Sequence, residues 1–161
     1  RARRWSRCAP PSRRRSPQPG KSKSGRAMSP VVVDGNTPVF ALLSPGGKPS
    51  EVLRLLITGA LRLCFDSRIV VEYEDVLSRP KFSFDRTACR DLLSVLLGNG
   101  FSVAAEPLDI SFADEDDRKF YEVAKQVNSK LITGNLKHFP EDPLVTTVAD
   151  FLVWRHRLGC G

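Results

Sequence analysis

An α/β fold built on a parallel sheet covered on both faces is what this sequence predicts, and three observations carry that reading. Short apolar runs of strand length alternate with helical patterns from residue 31 onward. The first run, Val31-Val32-Val33, is apolar throughout and reads as a buried strand. Polar residues also follow strand ends: Asp34 closes the first, and Thr133-Gly134-Asn135 follows the fourth. Right-handed crossovers put all carboxyl ends at one edge, where open α/β sheets place their sites.

In order along the chain, residues 31–34 read as a strand and 37–43 as a short helix, with a turn at Ser44-Pro45-Gly46-Gly47. Residues 49–58 are helical, with Pro49 near the first turn and Gly59 as the stop. A second strand spans 61–65. The helix at 67–78 ends before Arg79-Pro80, and the one at 85–97 is capped by Asp85 and closed by Gly98-Asn99-Gly100. A third strand covers 101–104. An acidic helix follows from 114 to about 127, then strands at 130–133 and 144–146 and a closing helix over 148–157.

The chain of 161 residues, 41% of them hydrophobic, suits one domain with a real core. Its net charge of +7 is misleading as a sign of nucleic-acid binding. Residues 1–27 hold eight Arg and two Lys with no acid, leaving 15 basic against 18 acidic residues, or −3, for the rest. Any claim on polynucleotides must therefore rest on local residues. No apolar run reaches the roughly 18 to 20 residues of a membrane span. Cys8, Cys64, Cys89 and Cys160 lie far apart without Cys-x-x-Cys or zinc spacing, which fits a reducing, cytoplasmic setting.

The Arg/Ser/Pro composition of 1–27 cannot bury enough surface to offset ordering, so disorder is expected there. Three readings compete: a nucleic-acid arm, a transit-like leader, and upstream sequence foreign to the natural protein. Met28, directly before the first strand, favours the third. The domain then spans 28–152, with a tail over 153–161.

Asp114-Glu115-Asp116-Asp117 packs negative charge onto the opening turn of a helix, more than the dipole requires. Asp114 reads as an ordinary N-cap. Asp116 and Asp117 fall on the stripe of Phe120, Val123, Ala124 and Val127, and periodicity does not choose between them. On the helix after the second strand, Glu72 and Glu74 flank an apolar face and are equally open. Asp34-Gly35-Asn36 reads as a turn, or as a carboxylate supported by Asn36. If one acid from each group converged at one edge, their repulsion would call for a hard divalent ion, Mg²⁺ or Mn²⁺, suited to phosphodiester hydrolysis.

Val31-Val32-Val33-Asp34-x-Asn36, Val71-Glu72-Tyr73-Glu74-Asp75-Val76-Leu77, Asp114-x-Asp116-Asp117-x-x-Phe120-Tyr121-Glu122-Val123-Ala124 and Ile132-Thr133-Gly134-Asn135-Leu136-Lys137-His138-Phe139-Pro140 occur in that order. Together they resemble PIN-domain proteins, in the branch described as toxin components of bacterial toxin-antitoxin systems. The resemblance implies a three-layer fold and a Mg²⁺- or Mn²⁺-dependent ribonuclease whose catalytic and metal-binding acids are Asp34, Glu72 and Asp117. Asn36, Asp116, Thr133 and Asn135 would support them. Lys48, Arg68, Lys119, Lys137 and His138 are candidates for substrate phosphates. RNA, an antitoxin protein and a second copy of the chain are the partners to expect, with no membrane.

Two departures matter. The family usually has Asp-Thr-Asn and two aliphatic residues where this chain has Asp34-Gly35-Asn36-Thr37-Pro38, so a hydroxyl beside the first carboxylate is missing. Asn135 and His138 stand where many relatives offer a further acid. A binding module of the same fold with weakened turnover is therefore the competing expectation. A phosphate-binding regulatory domain finds no glycine-rich loop to support it.

Overall fold

The computed structural model describes residues 29–159, so the disorder expected of residues 1–27 lies outside the described residues. Five strands form one all-parallel sheet in the order β3-β2-β1-β4-β5: β1 is Ser29–Val33, β2 Leu61–Phe65, β3 Phe101–Ser102, β4 Lys130–Ile132 and β5 Val145–Thr146. Helices α1 (Thr37–Leu43), α2 (Lys48–Ile57), α3 (Ser67–Leu77), α4 (Arg86–Gly98), α5 (Arg118–Val127) and α6 (Val148–Arg157) connect them. The three-layer α/β expectation holds.

Burial explains the layering. Successive side chains of a strand face opposite ways, and Val31, Val32 and Val33 are each at most 2% exposed, so β1 is covered on both faces. Leu61, Leu63, Cys64, Leu131 and Ile132 extend the same core. Helix α5 packs on β1, β2 and β4, while α2, α4 and α6 contact one another along α2 and rest on β2 and β4. A smaller cluster of Val39, Val76 and Leu77 closes one end, with Phe82 and Phe84 stacked over it.

Register fixes the edge that matters. Val33 stands level with Ile132, so Asp34 and Thr133 emerge side by side from β1 and β4. The chain runs outward from β1 through β2 to β3 and then returns to the other side of β1 as β4. The switch point of the sheet is therefore the β1–β4 gap, the position where open α/β sheets bind ligands.

Apart from the start of the acidic helix, element bounds follow the expected ones within two residues, and the differences have local causes. Asp66 caps α3 by accepting from the Arg68 and Ile69 amides, and Asp85 caps α4 by accepting from Ala88. The third strand stops at Ser102 instead of 104. Gly100 is required before it, since a Cβ there would lie 2.5 Å from the Leu63 carbonyl oxygen. The acidic helix opens as a 3-10 turn at Glu115–Asp117, and only from Arg118 is it α-helical. Two more 3-10 turns, Pro80–Phe82 and Leu136–His138, were not expected. Helix α6 runs without a break across residue 152, through Arg157. Among the described residues, no helix is long and apolar enough to cross a membrane.

Candidate active site

Asp34 is the fixed point of the sheet edge. It is 5% exposed, and its Oδ2 accepts a 2.7 Å hydrogen bond from the Thr133 hydroxyl across the switch point. Its Oδ1 accepts from the Asn36 amide at 3.1 Å. Asn36 thus supports Asp34 through its backbone, and its side chain is exposed. Thr133 is itself held by the Asn135 amide, which donates to its hydroxyl at 3.0 Å. Asp34 thus has a hydroxyl donor in Thr133, although position 35 offers none.

Glu72 and Asp117 arrive from two helices. Tyr73, fully buried, donates its hydroxyl to the Val33 carbonyl at 2.5 Å and so pins α3 to the end of β1. That places the neighbouring Glu72 against Gly35, where a Cβ would come within 2.8 Å of Oε1. Gly35 leaves open the space that the glutamate fills. Glu72 Oε2 meets the Lys119 ammonium at 2.6 Å. Lys119 lies two residues beyond Asp117 on α5, so the same contact brings the α5 terminus to Glu72. The carboxylates of Asp34 and Glu72 and the burial of the ring all push the Tyr73 hydroxyl well above its ordinary pKa, burial most of all.

Asp117, 9% exposed, faces the core side of its turn, while Asp116 is exposed and contributes its carbonyl to Lys119. Burial raises the Asp117 carboxyl above the usual aspartate range. The hydrogen bond from His138 opposes this, and the charges of Asp34 and Asp114 add to it. His138 Nδ1 lies 2.7 Å from Asp117 Oδ2. Ligand atoms of Asp114, Asp117 and His138 lie within 4.8 Å of one another, a mixed oxygen and nitrogen set at the rim. Asp114 also caps the 3-10 turn by accepting from the Asp116 amide.

The cations expected to bind substrate divide into two kinds. Arg68 spends its guanidinium on Asp66 at 2.6 Å and on Glu122 at 2.8 Å, and so bridges α3 to α5. Lys119 is committed to Glu72. Lys137 is exposed and has no ion pair among the described residues, as is true of Lys48.

Glu122, 1% exposed, is the buried acid that sequence reasoning passed over. Besides Arg68 it faces Arg118 at 3.9 Å and accepts from the Leu108 amide at 3.0 Å. A charged residue inside Phe120-Tyr121-Glu122-Val123-Ala124, four residues after an arginine, was its available signal.

Among the described residues the close set of possible ligands is Asp114, Asp117 and His138, with Asp34 and Glu72 outside it, and its hard oxygen donors suit a divalent ion. Fold and donor set together define a three-layer α/β domain with an acidic centre at the carboxyl edge of its sheet. Residues 30–137 match the PIN domain, more than half of the chain, and the chain belongs to that family, whose members are generally metal-using nucleases. Neither the curated proteins nor the solved structures gave a match.

Proposed function

We propose that this protein is a metal-dependent endoribonuclease, the toxin of a toxin-antitoxin pair, that hydrolyses RNA phosphodiester bonds at the edge formed by Asp34, Glu72 and Asp117. The observation that supports it most is the Thr133–Asp34 hydrogen bond across the switch point, which fixes one buried carboxylate whose charge acts on a second, Asp117. Buried like charges so arranged repel unless a cation joins them. Mg²⁺ or Mn²⁺, held among these acids, would supply a water activated for attack on phosphorus.

The chain's own groups do the rest. Thr133 and the Asn36 amide fix the orientation of Asp34, and Tyr73 fixes α3 and with it Glu72. His138 restrains Asp117 and, with the exposed Lys137, offers positive or donor groups to substrate phosphate. An antitoxin would act by covering this edge, and the setting we infer is the cytoplasm.

The test is cleavage of a mixed RNA pool by the full chain in Mn²⁺ and in EDTA, beside Asp34→Asn. Cleavage that requires metal and Asp34 is expected. Metal-dependent binding of RNA without cleavage would favour the alternative, a binding module of this fold.

A further inference from the structure

Lys119 is in an unusual place for a lysine. Ammonium groups normally stay in water while the stem covers apolar surface. Here the side chain is 12% exposed, less than the 24% of the glutamate it pairs with. Its nitrogen meets Glu72 Oε2 at 2.6 Å, donates to the Asp116 carbonyl, and lies 5.2 Å from the centre of the Phe120 ring. The other oxygen of Glu72 is lodged against Gly35. One oxygen of this carboxylate is therefore held at contact distance by a cation of the chain itself.

The charge count at the edge follows. Glu72 is neutralised at contact distance, whereas Asp34 is held by neutral donors and Asp117 by His138. The two buried carboxylates left without a lysine or arginine partner, Asp34 and Asp117, carry the charge that one divalent ion would balance, while Asp114 beside them is exposed.

We propose that Lys119 is the resident cation of this site: by holding Glu72 it confines the divalent ion to Asp34 and Asp117, so that one ion is bound and Glu72 positions Lys119 instead of the metal. This rests on the metal-centre reading above and narrows it. Lys119 and Glu72 then form a fixed positive and negative pair at this edge.

Calorimetric titration of the full chain with Mn²⁺ alone tests the assignment, with circular dichroism confirming that each variant is folded. One Mn²⁺ per wild-type chain is expected. Asp34→Asn and Asp117→Asn should each weaken binding strongly, whereas Glu72→Gln should weaken it less than either, within the roughly 10- to 100-fold that an outer partner of a metal is worth. Lys119→Met keeps the stem on Phe120 but frees the Glu72 charge, so Mn²⁺ should bind more tightly or a second ion should appear. If Lys119 is only a structural ion pair, Lys119→Met lowers the melting temperature and leaves Mn²⁺ binding unchanged, which overturns the proposal. If Glu72→Gln weakens binding as much as Asp34→Asn does, Glu72 is a ligand; the proposal fails while the metal centre stands. Absence of saturable Mn²⁺ binding by the wild type removes the metal centre and this proposal with it.

Discussion

Asp117 concentrates the electrostatic tension of the sheet edge. Its folded pKa lies above its unfolded value, chiefly through burial. A group shifted in that sense contributes stability below its unfolded pKa and loses it as pH rises through the folded one. At neutral pH the ionised carboxyl therefore costs the metal-free protein stability. Asp117→Asn keeps the shape without the charge, so in EDTA the variant should melt at or above the wild-type temperature near pH 7. The difference should shrink as pH falls into the aspartate range. A lower melting temperature at pH 7 would mean that the His138 hydrogen bond outweighs the burial of charge.

Gly35 supplies a second prediction at this scale. A methyl group there meets Glu72 Oε1 at 2.8 Å, the far end of a flexible side chain but one held by Lys119. Gly35→Ala should cost about 1 kcal/mol, the lower end for overpacking, because the glutamate tip can yield. Urea unfolding measures it, and a gain in stability would show that Glu72 does not fill this space. Asp34 was legible at this scale because it ends an apolar strand. The choice of Glu72 over Glu74 was not, since both flank one helix face; it came from the family resemblance, and the structure sets Glu72 against Gly35 and Lys119.

Among the elements, α5 is the one that ties the molecule together. Five consecutive residues, Phe120 to Ala124, are buried, so the helix is enclosed on nearly all sides. Glu122 inside that run bonds Arg68 of α3 and the Leu108 amide, and Arg118 donates to the Leu108 and Ile110 carbonyls at 2.6 and 2.7 Å. The long segment between β3 and α5 is thereby held by two side chains of one helix. Glu122→Ala would leave the Leu108 amide without its acceptor and Arg68 with Asp66 alone. We expect a loss of about 3 kcal/mol by urea unfolding, the lower end for breaking a buried pair, because Arg68 is 44% exposed. A loss below about 1 kcal/mol would show that the bridge is dispensable.

Helix positions were readable from caps and stops, and α1, β2 and α6 fall where the sequence puts them. The 3-10 turns were not readable, because a three-residue turn has no apolar period to show. Glu122 was missed for a related reason: a helical wheel assigns one face to the core, whereas an enclosed helix buries residues all round. Its cation, Arg68, is fifty-four positions away, a separation that only the fold closes.

Over the whole molecule, charge and fold are separate matters. The basic residues of 1–27 reverse the sign of a chain that is otherwise −3, and the core described lies within β1 to α6. Deleting 1–27 should leave the melting temperature unchanged and bring the isoelectric point below neutrality. RNA affinity that drops with a weaker salt dependence would instead make the segment a binding arm.

The central claim, that Asp34 and Asp117 together hold a divalent ion at the switch point, is tested most directly by the Mn²⁺-induced rise in melting temperature. A ligand stabilises a protein only in proportion to its binding to the native state. Mn²⁺ should raise the melting temperature of the wild type in a saturable way and leave that of Asp34→Asn/Asp117→Asn unmoved. Equal rises in the two proteins, or none in the wild type, would contradict the account.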